Sequence, residues 1–190
     1  RPTRQRVELE LVPDRETYAP GESAELLVQA PFAPAYGLMT VTRKGIVATE
    51  RFDAPEGSAV LQIPISDESI PNLNVQIDMV GSAPRTADDG TPLPDAPARP
   101  AFATAQINLR VPPVTRALTV TATPAAEALE PGADTSVTVA VNGPGGAPVA
   151  GAQVALVVVD EAVLSLTGYE LADPLDVFYG QRGTDTRDYY

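Results

Sequence analysis

The residues best suited to chemistry sit near the end of the chain, in GQRGTDTRDYY (Gly180–Tyr190). There Arg182 and Arg187 alternate with small and polar residues, and Asp188, Tyr189 and Tyr190 follow. The chemistry this offers is done to the chain rather than by it. An arginine fits the charged pocket of a trypsin-like protease and a tyrosine the apolar pocket of a chymotrypsin-like one. Small, polar neighbours favour the extended, accessible backbone that such a cleft must thread. Arg182, Arg187, Asp188, Tyr189 and Tyr190 are therefore the candidate residues of a cleavable segment. A rival is the Pro-rich acidic stretch Ser82–Ala101, which carries Arg85 and Arg99.

Chemistry done by the chain is largely excluded. His and Cys are both absent, which removes a histidine base, a thiol nucleophile, a disulfide framework and a structural zinc site. The lone lysine, Lys44, lies in a strand-turn region, a poor place for a serine–lysine nucleophile. Gly143–Pro148 (GPGGAP) is glycine-rich but lacks the Gly-Lys-Ser/Thr of a phosphate loop, so it reads as a turn. Adjacent carboxylates such as Asp160 and Glu161 rarely converge on one atom, and here they suit a helix start. Asp88-Asp89-Gly90 lacks the ligand spacing of a calcium loop. No catalytic residue, metal site or cofactor is expected, and the chain reads as no enzyme.

Composition narrows the partners. The net charge of −12 repels phosphate backbones and anionic lipid surfaces, so neither nucleic acid nor a membrane is expected to bind. No apolar run approaches the length of a membrane helix. With 190 residues and 44% apolar side chains, the chain can build two compact units of about 100 residues each. The start, RPTRQRVELEL, has no hydrophobic export core. It reads either as the start left by a removed signal or, in preference, as an internal piece of something longer.

These residues are positioned by a repeat. Placing Pro20-Gly21 on Pro131-Gly132, an offset of 111, aligns Val7–Ala30 with Leu118–Val141 without a gap. Pro13/Pro124, Glu16/Glu127 and the two Pro-Gly pairs are identical, and Val7/Leu118, Leu9/Val120, Leu26/Val137 and Val28/Val139 stay apolar. Val7, Leu9 and Leu11 alternate with glutamates as a half-buried strand, and Ala24, Leu26, Val28 and Ala30 face inward on the next. The long connection between them favours a crossover between two sheets. Further alternating segments at Tyr36–Arg43, Ile46–Phe52, Ser58–Ile65, Asn72–Val80 and Phe102–Val111 complete an antiparallel sandwich. The Ser82–Ala101 loop is expected to stay outside its ladder.

Two tandem all-β sandwiches are thus predicted, of the immunoglobulin or fibronectin type, over residues 1–113 and 114–190. The second starts with strands at Ala117–Ala122 and Thr135–Val141. Val154–Val159, in Gln153–Val159, reads as a strand buried on both faces. A short helix capped by Asp160 and stopped by Gly168 follows. Asp173 before Pro174 starts another, with Leu175, Phe178 and Tyr179 as its packing face. Three strands leave this second sandwich incomplete.

The string VVVDEAVLSLTGYELADPLDVFYGQRG (Val157–Gly183) resembles the segment before the bait region of bacterial alpha-2-macroglobulins. The YAPGE turn (Tyr18–Glu22) and GAPVAGAQV (Gly146–Val154) resemble that family's macroglobulin-type domains. The resemblance implies a broad-spectrum protease inhibitor in which cleavage of a bait triggers entrapment of the protease. Thr184–Tyr190 would then be the edge of the bait and Asp160–Gly183 its upstream anchor. It also implies proteases, other macroglobulin domains of the same chain and cell-wall synthesis proteins as partners, in a periplasmic or cell-envelope, often lipid-anchored parent. A family thioester would need a Cys this chain lacks. The alternative is a passive tandem spacer in a bacterial surface or adhesion protein. A carbohydrate-binding module fits poorly, because aromatics are 5% and Trp is absent.

Overall fold

The computed structural model describes residues 8–184, apart from 88, 92, 131, 160, 169 and the side chain of 161. Two compact units divide it. The first runs to Pro112 and takes in the described tail from Gln181, and the second is Pro113–Gly180.

In the first unit, period-two alternation becomes seven strands: β1 (Glu10–Pro13), β2 (Ser23–Gln29), β3 (Ala35–Thr42), β4 (Ile46–Ala54), β5 (Ser58–Pro64), β6 (Asn72–Ala83) and β7 (Arg99–Arg110). They form two antiparallel sheets, ordered β1-β2-β5 and β4-β3-β6-β7. Ala24, Leu26 and Val28 of β2 are fully buried while Glu25 and Gln29 point out. Leu61 and Ile63 of β5 add to that face, and Met39, Val41, Leu73, Val75, Ile77, Met79 and Leu109 supply the other. Each fully buried Leu, Ile or Met contributes about 1.5–3 kcal/mol through removal of apolar surface from water. The architecture is an all-β sandwich.

Two expectations fail here. The connection after β1 does not cross between sheets, because β1 pairs directly with β2, Leu11 opposite Val28. Side chains fold the intervening loop back on itself. The Asp14 carboxylate accepts the Glu25 N–H (2.9 Å) and the Tyr18 hydroxyl (2.7 Å), and Glu22 accepts the Ala19 N–H (2.8 Å). The Ser82–Ala101 stretch, in turn, joins the ladder at both ends, with Ser82 opposite Pro100 and Ala83 opposite Arg99. Pro100 lacks an amide donor, but on the edge strand β7 this costs the ladder little. Inside the loop, Leu93 N–H reaches the Arg85 carbonyl (2.8 Å) and Arg85 Nε the Pro97 carbonyl (2.9 Å).

The second unit opens with the repeated hairpin. Strand β8 (Thr119–Pro124) pairs with β9 (Val137–Asn142). Ala122 lies opposite Val139, as Leu11 lies opposite Val28, so the whole register recurs at the offset of 111. The turn recurs as well. Glu22 N–H bonds the Ala19 carbonyl and Ala133 N–H the Glu130 carbonyl, with Gly21 and Gly132 at φ +93° and +86°. Positive φ strains any residue with a Cβ, which is why glycine recurs there.

Gln153–Val159 is not a strand. It is largely exposed, with Val157 and Val158 78% and 84% accessible. β-branched residues make a strand only where a neighbour completes the ladder and layers cover both faces. Among the described residues, β8 and β9 are the strands of this unit. Helix α1 (Glu161–Thr167) stops at Gly168, φ +58°. Its expected cap, Asp160, lies outside the described residues. Helix α2 (Pro174–Phe178) starts as predicted, with Asp173 accepting the Leu175 N–H at 2.8 Å. Phe178 does not pack as expected: it is 71% exposed, while Leu175 and Tyr179 are half-buried.

Candidate functional site

The site begins on β6, the central strand beside β7. Leu73, Val75, Ile77 and Met79 enter the core, which turns Asn72, Asn74, Gln76 and Asp78 to the outer face. Register then aligns this polar row with its neighbour. Asn108 donates to Asn74 (2.9 Å), Gln106 to Gln76 (2.7 Å) and Thr104 to Asp78 (2.7 Å), each across a directly paired position. The Asn108 bond occupies Asn74 Oδ1 and leaves the Asn74 amide nitrogen pointing onward.

Strand β3 ends opposite Asn74, one pleat short of Asn72. Tail residues occupy that place. Asn72 Oδ1 accepts the Arg182 N–H at 2.9 Å, and Asn72 Nδ2 donates to the Arg182 carbonyl at 2.8 Å. Asn74 Nδ2 donates to the same carbonyl at 3.1 Å. One side-chain amide thus meets both main-chain groups of one residue, as a neighbouring strand would. Asn72 is 0% exposed, and a buried amide left without partners costs about 1–3 kcal/mol. The tail satisfies it. Arg182 itself stays exposed.

Of the candidate cleavable residues, the structure therefore places Arg182 against the first sandwich. Arg187, Asp188, Tyr189 and Tyr190 lie outside the described residues. Arg99 of the rival segment is paired in β7. Asn72 and Asn74 were not singled out by sequence. They read as the solvent side of an alternating strand, and nothing local marks a contact 110 residues away in the chain.

The remaining polar clusters serve turns. Asp14 is held below the ordinary carboxylate range by the Tyr18 hydroxyl, the Glu25 N–H and nearby Arg15. Burial, and then the bond to Asp14, raises Tyr18. Glu22 is lowered by the Ala19 N–H and by Arg15, which it meets at 2.9 Å. Asp89 is lowered by the Thr91 N–H, a local turn bond of 2.9 Å. Gly143 N–H bonds the Ala147 carbonyl (2.9 Å), so the glycine-rich stretch is a turn. Among the described residues no cluster of acidic side chains could hold a metal, and no helix is long and apolar enough to cross a membrane.

Comparison with known proteins gives this architecture a family. The alpha-2-macroglobulin bait region domain matches residues 9–166. The chain is 28% identical over 185 residues to the alpha-2-macroglobulin homolog of Nostoc sp., covering 97% of this chain and 9% of that protein. It is also 28% identical over 166 residues to circularly permutated Ras protein 2 of Dictyostelium discoideum, covering 87% of this chain and 4% of that protein. The chain therefore spans less than a tenth of either relative. A match that runs through the first sandwich, the repeated hairpin and α1 settles the relationship: the chain belongs to the alpha-2-macroglobulin family, as part of its bait region domain.

Proposed function

We propose that this chain is the part of a protease trap that holds the upstream end of the bait. The sandwich supplies a rigid body, and the segment after Gly183 presents Arg187, Tyr189 and Tyr190 to proteases of different pocket chemistry. The observation that carries this reading is the bait region domain match over residues 9–166, with that cleavable tail beyond helix α2. The first unit is well suited to the anchor, because its double-sided core resists deformation when a segment tied to it is cut. The chain does no chemistry of its own in this scheme. Proteases and other domains of the longer protein are its partners, cell-wall synthesis proteins are further ones, and the periplasm or cell envelope is its place.

The test is limited proteolysis of the longer protein with trypsin, chymotrypsin and elastase, mapping the earliest cuts by mass and following size by small-angle scattering. Early cuts by all three shortly after Gly183, with compaction, are the expected result. Scattered cuts without any change in size would leave a passive spacer.

A further inference from the structure

From the geometry around Asn72 we infer that β6 carries a docking site for its own tail's main chain, and that this site withholds the Arg182–Gly183 bond from proteases. Its role as the boundary of the bait rests on the reading above; the docking itself does not.

Three observations carry it. The first is completeness. Arg182 N–H and C=O are both engaged, the carbonyl by two donors, at 2.8–3.1 Å. The second is burial: Asn72 has no exposed surface, so its amide depends on the Arg182 main chain for the hydrogen bonds that water would otherwise supply. The third is support. Asn108 fixes the orientation of Asn74 through its Oδ1, so the second donor is aimed before the tail arrives. Recognition is of backbone alone, the logic of an added β-strand, and the Arg182 side chain is displayed without being used.

A serine protease must place the scissile carbonyl in its own oxyanion hole. The Arg182 carbonyl already faces two amide donors, and its N–H is held as well. Cleavage after Arg182 therefore requires undocking, although its guanidinium is freely visible. Sequence alone orders the sites the other way. Arg182 is followed by Gly183 and Thr184, whereas Arg187 lies near Asp185 and next to Asp188, carboxylates that compete with the protease's own acidic pocket for the guanidinium.

The experiment is timed trypsin digestion of the whole chain, with fragments quantified by mass, beside a peptide of residues 178–190. In the peptide, cleavage after Arg182 is at least as fast as after Arg187. In the folded chain it is slower by about tenfold or more, as several main-chain hydrogen bonds must break first. Asn72→Ala restores the peptide's order, and Asn74→Ala, which leaves the buried amide in place, restores it in part. Equal rates in the peptide and the folded chain would overturn the site. Because Asn72→Ala removes a buried group, a second readout avoids any doubt about folding. Amide exchange at residue 182 stays slow in Arg182→Ala, because the N–H that Asn72 accepts is unchanged. Loss of protection in Arg182→Ala would instead make the contact a side-chain one and sink the inference. Failure of the trap reading looks different: intact docking here, with no change of size in the longer protein.

Discussion

Tyr18 is buried with its hydroxyl on the Asp14 carboxylate, and burial together with this bond makes the pair felt at both ends of a pH profile. Asp14 and Glu22 titrate below their unfolded values. The unfolded chain then binds protons first as pH falls, so their stabilisation is complete above about pH 4 and is lost below it, through the folded values. Tyr18 titrates above its unfolded value. Its contribution is complete below about pH 10 and is lost as pH rises through the higher folded value. Tyr18→Phe should therefore lower the urea midpoint most at neutral pH, and the gap from the parent chain should narrow at both extremes. A constant gap from acid to alkaline pH would show that the lost hydroxyl acted through packing alone. Arg15, which also touches Asp14 and Glu22, is an exposed partner; Arg15→Ala should change the midpoint little, and less still in high salt.

Close contact between elements rests on two glycines facing different obstacles. A Cβ on Gly81 of β6 would lie 2.5 Å from the Pro34 carbonyl, with the Phe32 ring behind it. Backbone cannot step aside there, so Gly81→Ala should cost about 1–3 kcal/mol as β6 is pushed from the loop before β3. On Gly37 of β3 the obstacle is the Phe52 ring, which is half-buried and can swing outward. Gly37→Ala should cost less, and denaturant titration of both variants decides it; the reverse order would mean that Phe52 is locked. Strands of this kind were legible because alternation and Pro-Gly turns are local signals: β2 to β5 fall where alternation put them, whereas β1 lies at Glu10–Pro13, shifted from Val7–Leu11, and β6 and β7 extend past the alternation to Ala83 and Arg99. Pairing was less legible. The β1–β2 loop was misread as a crossover because its length says nothing of the Asp14 and Glu22 bonds that close it. Val154–Val159 carries every local mark of a strand, yet burial is a property of neighbours that the run itself does not encode. Asn72 failed for the same reason, as its partner is distant in sequence.

At the scale of the whole chain, one hairpin has been built twice and covered once. The two copies share register, turn bonds and the positive-φ glycine. In the first copy Leu26 is fully buried under the β4-β3-β6-β7 sheet. In the second, its equivalent Val137 is only half-buried, and no described residue from 113 to 180 is buried at all. Local sequence therefore fixes how the strands pair, while the opposing sheet decides what that pairing is worth. The consequence is testable by substituting equivalent positions. Leu26→Ala should cost about 2–5 kcal/mol, because it removes a filled core site that collapses only in part. Val137→Ala should cost roughly 0.5 kcal/mol, as at a surface position. With two compact units a single unfolding midpoint is not guaranteed to report both, so residue-level amide exchange is the better measurement. Leu26→Ala should speed exchange through β2, β5 and the docked Arg182 together, since all depend on one core. Val137→Ala should act on β8 and β9 only. If both substitutions had equal and global effects, a shared core would have to join the hairpins, and the first sandwich would not be the independent rigid body that an anchor for a cleavable segment requires.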